Sequence, residues 1–405
     1  MVRVQTGHKA ILRPFGPWIS LSLCAVAACT VIAVCAGESP PAGAAAARPV
    51  VAIQDDQITN DGSPAVVAAR ADRLASTGAK LTRVNIDWSV VAPVRPADPS
   101  NPDDPAYRWG TLDGPIQALQ DRGIAVITVM FGTPRWATPS GKWNATPRPV
   151  DFGTFAGALA LRYSGTWPKP GGGFLPRIKS ISPGNEPNLN FWITPQCKRV
   201  RGRWVPASPA AYAAMLKAAS KRIRASAPGI LVVAGETLAG DGNGCTGPTS
   251  TVGTIEFTRL LHKALGSTRR VPFDAWAVHL HPVGPPDRSP FFPSWPTLPR
   301  ITKQVNKLHP KGRMPILVTE TSYATAYSAY HRYFVTEEQQ AKWLDLTYSL
   351  ATRQPQVEAV VWFNLQDNFE WPAGVYRDDW SAKPSLDRFR QLATTTPIPQ
   401  KWALP

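Results

Sequence analysis

The stretch RIKSISPGNEP (177–187) begins as a strand and ends as a turn with a carboxylate inside it. RIKSIS reads as a short strand, and the run of Pro183, Gly184, Asn185 and Pro187 around Glu186 reads as a turn. No helical pattern follows until SPAAYAAMLKAASKRIRASAPG (208–229). A strand, a turn carrying a polar group and then a helix make up the repeating unit of an α/β chain.

The same unit recurs along the whole chain. PVVAIQ (49–54) precedes SPAVVAARADRLASTG (63–78), where Ser63 can cap and Gly78 can end a helix. LTRVNIDW (81–88) precedes LDGPIQALQDRG (112–123), and IAVITVMFG (124–132) precedes VDFGTFAGALALRYSG (150–165). The opening stretch is the fourth unit. ILVVAGE (230–236) leads to TIEFTRLLHKALG (254–266), and FDAWAVHLHP (273–282) leads to LPRITKQVNKLHPKG (298–312). MPILVTETSY (314–323) precedes TEEQQAKWLDLTYSLATRQ (336–354), and VEAVVWFNLQD (357–367) precedes PSLDRFRQLA (384–393). The strands are apolar on both faces, as parallel strands covered by helices are. Eight such units predict an α/β fold, a (β/α)8 TIM barrel forming a single catalytic domain. IQDDQI stands after the first strand where a nucleotide-binding doubly wound sheet would carry a Gly-rich turn.

Residues 1–47 stand apart as a signal peptide or N-terminal membrane anchor, with residues 48–405 forming the barrel domain. Arg3, Lys9 and Arg13 precede the apolar run WISLSLCAVAACTVIAVCAG (18–37), and the small-residue tract PAGAAAA (41–47) follows. A cleaved secretory leader, a retained membrane span and a lipid attached at Cys29 are three readings of this layout. Each places the domain outside the cytoplasm, either secreted or anchored to the outer face of the membrane. Cys24, Cys29 and Cys35 lie in that leader, so Cys197 and Cys245 are left to form one disulfide. No CxxC pair or neighbouring histidine gives them a metal site. The net charge is +16, but Lys and Arg are scattered except in KRVRGR (198–203) and STRR (267–270). That distribution suits a solvated surface better than a nucleic-acid interface. With no repeat or linker in the domain, a monomer is expected.

In such a barrel the chemistry collects at the C-terminal ends of the strands. Glu186 ends strand four and Glu320 ends strand seven, across the mouth from it. Singly, each could be a satisfied loop carboxylate or an ion-pair partner. Together they match the needs of glycoside hydrolysis, in which one carboxylic acid protonates the leaving oxygen and the other acts on the opposite face of the sugar. The chain also has 15 tryptophans, many in strand-to-helix loops. Sugars stack on aromatic planes, so Trp136 and Trp192 are expected to line the cleft.

GNEP (184–187) and TET (319–321) resemble the signatures of the clan A glycoside hydrolases, a large group of retaining (β/α)8 enzymes. The resemblance covers roughly residues 49–393. It implies that Glu186 is the acid/base, Glu320 the nucleophile, and Asn185 the partner of the substrate's 2-hydroxyl. It further implies that Arg83 of TRVNIDW hydrogen-bonds the nucleophile and that Trp362 of VVWFN forms part of the sugar platform. His279 matches the clan's strand-six histidine, while His281 stands where a tyrosine is common. GTPRWA (132–137) and the chain's size lean toward families 39 and 5. The implied activity is retaining, double-displacement hydrolysis of a β-linked oligo- or polysaccharide, with no metal or organic cofactor.

Two other readings are open. His279-x-His281 resembles the histidine pair of barrel metallohydrolases, but His262 and His309 fall in helices and His331 in a loop, leaving the ligand set incomplete. The second is a non-catalytic extracellular glycan-binding barrel, which the retention of both carboxylates argues against. In either case a Cys197–Cys245 bridge would join the loops after strands four and five, holding Phe191 and Trp192 over the cleft.

Overall fold

The computed structural model describes residues 48–404 except 267–270, 289–293, 310 and 311. The leader (1–47) and STRR lie outside the described residues. Eight parallel strands form the sheet: β1 (Val50–Gln54), β2 (Leu81–Asp87), β3 (Ala125–Phe131), β4 (Ser180–Pro183), β5 (Leu231–Leu238), β6 (Ala275–His279), β7 (Ile316–Thr321) and β8 (Val357–Phe363). The order β1-β8-β7-β6-β5-β4-β3-β2 runs around a nearly complete ring. At the remaining seam the Thr82 hydroxyl donates to the Ile53 carbonyl (2.6 Å) and draws β2 against β1. Between the strands lie α1 (Pro64–Ser76), α2 (Gly110–Asp121), α3 (Pro149–Arg162), α4 (Ser208–Ser226), α5 (Thr254–Leu265), α6 (Leu298–Asn306), α7 (Glu337–Thr352) and, at the end, α8 (Pro384–Thr395). This is the expected TIM barrel.

The pleat sorts the strand residues into two apolar layers. Val50, Ala52, Leu81, Ile127, Ala277 and Val361 fill the barrel interior, and Trp402 from the C-terminal tail packs with them. Val51, Ile53, Val84, Val126, Val278 and Val360 alternate with those residues and pack against helix residues such as Leu74, Ile116 and Leu344. Alternation of this kind follows from the two-residue period of a strand.

Two strands break the alternation. Gly235 and Glu236 of β5 stand opposite the single residue Ala277 of β6, since Ala234 pairs with Trp276 and Thr237 with Val278. Thr319 and Glu320 of β7 likewise stand opposite Val361 of β8. Each is a β-bulge, one extra residue that re-aims a side chain. Gly235 (φ 99°) and Glu236 (φ 47°) both adopt the left-handed conformation. At Gly235 a Cβ would sit 2.5 Å from the Ala277 carbonyl, so this bulge requires glycine there.

Two local features differ from the sequence reading. An antiparallel hairpin, Cys197–Val200 with Arg203–Pro206, occupies part of what reads as loop after β4 and carries the KRVRGR run. Helix α6 ends at Asn306 rather than continuing to residue 312. The Asn306 side-chain oxygen accepts from the Met314 amide (3.0 Å) and from Gln356 Nε2 (2.7 Å), which turns the chain back toward β7. Cys197 and Cys245 form a disulfide with a Cα–Cα distance of 5.8 Å. Among the described residues no helix is long and apolar enough to cross a membrane.

Candidate active site

The C-terminal strand ends converge on Arg83, which is buried inside β2. Its Nη1 donates to Gln54 Oε1 and to Glu320 Oε1, both at 2.7 Å. Its Nη2 donates to Asn185 Oδ1 (2.8 Å) and to Glu236 Oε2 (3.1 Å). One rigid guanidinium thus fixes groups from β1, β5, β7 and the turn after β4, which is the geometry for which arginine is suited.

His279 at the end of β6 is the second hub and is fully buried. Its Nδ1 lies 2.7 Å from Glu186 Oε1 and its Nε2 lies 2.8 Å from Glu236 Oε2. The same Nδ1 is 3.5 Å from Glu320 Oε2. Because one nitrogen is 2.7 Å from one of these oxygens and 3.5 Å from the other, the Glu186 and Glu320 oxygens are at most about 6.2 Å apart. Carboxyl groups at about 5–5.5 Å go with retaining glycosidases, and inverting pairs stand about 6.5–9.5 Å apart.

Glu186 itself adopts φ 37°. Its backbone N–H donates to the Glu236 carbonyl (2.9 Å), tying the turn after β4 to β5. Trp192 Nε1 donates to Glu186 Oε2 (2.7 Å), and His281 Nε2 lies 3.3 Å from Glu320 Oε2. Both oxygens of Glu186 therefore have partners, as do both of Glu320.

Burial would raise the Glu320 carboxyl, but the charges of His279 and Arg83 and the hydrogen bond from His281 outweigh it and hold the group well below the usual carboxylate range. Glu236 follows the same logic. Desolvation opposes its ionisation, while Arg83 and His279, with Ser182 (2.6 Å) as a further donor, lower it to about 2. Thr319, inward-facing beside Glu320, also donates to Glu236 (2.7 Å). For His279, burial favours the neutral ring, yet Glu320, Glu186 and Glu236 raise it to about 10. Two carboxylates, Glu320 and Glu236, thus favour the ionised form and His279 the protonated one, alongside the Arg83 guanidinium in one buried network.

Above this network lies a cavity of about 830 Å³ into which Asn185, Glu186 and Glu320 project. Phe131, Trp143, Phe191 and Trp192 form one wall beside Glu186. Phe363, Trp371, Tyr330 and His331 form the facing wall beside Glu320. Trp371 packs against His281 (ring centroids 5.0 Å) and Phe363 (4.9 Å).

Of the residues singled out in the sequence, Arg83, Asn185, Glu186, His279, His281 and Glu320 come together, and Trp192 joins them through Glu186. Two tryptophans do not. Trp362 shares the parity of Val360, is fully buried among the helix-facing residues, and donates to the Ala373 carbonyl (3.2 Å). At the end of β8 it is the neighbouring Phe363 that lines the cavity. Trp136 lies outside the cavity lining; it packs on Trp88 (5.4 Å) and donates to the Ala92 carbonyl (2.8 Å). Trp143 and Trp371, two of the loop tryptophans, line the cavity where Trp136 does not, and Glu236 is a further site residue that the strand-end pattern does not single out. The signal for Glu236 was an acidic residue directly after a glycine at the end of an otherwise apolar strand. His279, His281 and Glu320 place ligand-type atoms within 4.8 Å of one another, but both His279 nitrogens already face carboxylates.

Compared with protein-family profiles and with curated sequences, the chain finds no match. Among solved structures it is similar to a family 39 glycoside hydrolase from Bacteroides cellulosilyticus (20% identity, TM-score 0.57). That match covers 86% of this chain and 64% of the other, so the chain spans less than two thirds of that relative's length. A glucosidase from Croceicoccus marinus is similar at 16% identity and TM-score 0.60, covering 86% of this chain and 68% of the other. A β-xylosidase from Caulobacter crescentus matches at 18% identity and TM-score 0.56, with 87% and 70% covered. The fold is therefore one used by glycoside hydrolases of families 39 and 5.

Proposed function

We propose that this chain is a retaining O-glycoside hydrolase acting on a β-linked oligo- or polysaccharide. The observation that carries the reading is the Glu186–Glu320 pair, bridged by His279 and separated by about 6.2 Å or less at the floor of an aromatic-walled cavity. Glu320, ionised and oriented by Arg83 and His281, attacks the anomeric carbon. Glu186 gives its proton to the leaving oxygen, and the leaving group departs with it. A covalent glycosyl ester on Glu320 results. Glu186, now a carboxylate, takes a proton from water, which attacks the same carbon and frees Glu320 with net retention. Asn185, fixed by Arg83, faces the cavity and can bind the 2-hydroxyl.

The Cys197–Cys245 bridge supports placing the domain in an oxidising compartment outside the cytoplasm. The test is reducing-sugar release from a panel of β-linked polysaccharides and aryl glycosides, with Glu320→Ala in parallel and the first-formed anomer read by NMR. Release as the β-anomer that vanishes in the variant is expected. First-formed α-anomer, or release that survives the substitution, would refute the mechanism.

A further inference from the structure

Asp56 stands just beyond β1 at the cavity floor, and no step above uses it. Its Oδ2 accepts from Asn368 Nδ2 (3.1 Å), but its Oδ1 is buried with no hydrogen-bond partner. Arg70, whose charge acts on Asp56, is committed elsewhere. It donates to both oxygens of Asp55 (2.7 and 2.6 Å) and to Gln366 (3.1 Å). Burial and the Asp55 charge push the Asp56 carboxyl up to about 7, with a smaller contribution from Glu320. A buried acceptor left without a donor is uncommon in a folded protein and calls for an explanation. Asp56 lines the ligand cavity, and a turn of its side chain would bring this oxygen to a ligand hydroxyl there.

Which part of a ligand would reach it follows from the walls. The leaving group must lie beside the acid Glu186, along the wall of Trp143 and Trp192. The sugar attacked by Glu320 therefore extends the other way, toward Phe363 on β8. β1 pairs with β8, and Gln54 is the register partner of Phe363, so Asp56 follows directly beside that platform. Asn85 lines the same side, its amide oxygen facing Gln54 Nε2 at 3.4 Å. A carboxyl oxygen here needs a hydrogen-bond donor. On the floor itself Arg83 and His279 are already paired with Glu236 and Glu320, so neither is a spare cation for a carboxylated sugar despite the chain's net charge of +16.

We propose that Asp56 binds hydroxyl groups of a neutral sugar on the glycone side of the scissile bond and thereby selects which sugar is cleaved. This rests on the hydrolase reading above. The experiment takes the best neutral aryl β-glycoside from the panel and compares it with its monodeoxy analogues, one hydroxyl removed at a time, in wild type, Asp56→Ala and Asp56→Asn. In the wild type, removing the contacted hydroxyl should lower kcat/KM about 10- to 100-fold. Asp56→Ala should lower the parent substrate by a similar factor and bring the parent-to-analogue ratio close to one. Asp56→Asn keeps the shape and an acceptor, so it should retain part of that ratio; it also carries the comparison if the alanine variant fails to fold. Wild-type ratios persisting in folded variants would overturn the assignment while leaving the hydrolase intact. No turnover of any glycoside by the wild type would overturn both readings together.

Discussion

Replacing Glu236 by glutamine should make stability depend on pH in a predictable way. The carboxylate is held at about 2 in the fold, against 4.5 for an unperturbed glutamate. At about 1.4 kcal/mol per unit, the ionised group contributes on the order of 3 kcal/mol at neutral pH. Because the folded value is the lower one, this contribution is complete above 4.5 and disappears as the pH falls through 2. Glutamine can place its amide toward Ser182, whose hydroxyl can turn to accept, and its oxygen toward Arg83, His279 and Thr319. The substitution thus removes charge more than shape. Urea unfolding followed by tryptophan fluorescence should show the variant about 3 kcal/mol less stable near neutrality, with the gap constant down to about pH 4.5 and narrowing from there toward pH 3. A gap that stays constant over that range would mean that packing rather than charge holds Glu236 in place, and would refute the reasoning.

Other outcomes follow from the same geometry. Glu186→Ala should form the glycosyl ester from an aryl glycoside with a good leaving group and then stall, giving a burst in stopped-flow absorbance; azide, which needs no base, should restore turnover. Trp192→Phe removes one donor to Glu186 and should lower kcat/KM roughly tenfold in steady-state assays without altering the circular dichroism. Trp362→Ala should cost about 3–5 kcal/mol in denaturant unfolding because that ring lies in the core, whereas Phe363→Ala, buried but lining the cavity, should lower kcat/KM as well as stability. Cys197→Ser opens a loop with a sequence separation of 48 and should destabilise by about 4 kcal/mol under non-reducing conditions.

The barrel is legible because the strand runs are apolar on both faces and each is followed by an amphipathic segment, so eight local readings agree on one architecture. Glu186 and Glu320 were legible as polar residues at strand ends. The aim of side chains at those ends was not. In β8 the pleat alone decides between Trp362 and Phe363; the family pattern favoured the tryptophan, while the register with β1 and β7 turns it into the helix layer. Glu236 went unnoticed because a strict two-residue period sends it the same way as Val232 and Ala234, and only the bulge at Gly235 brings it inward. The hairpin after β4 has the sequence of a loop because KRVRGR is charged and its strands are four residues each, too short to show a period.

The two bulges also bear on how such a site could be moved to another scaffold. An ideal barrel strand offers its mouth every second residue, so the eight strands together have a fixed number of inward positions. Here β7 delivers Thr319 and Glu320 in succession, and the doubled stretch of β5 turns Glu236 inward out of turn. Grafting the same side chains onto perfectly regular strands would turn both carboxylates toward the helices, leaving Arg83 as an uncompensated charge in the core. A transplanted site would therefore have to carry its backbone irregularities along with its functional groups.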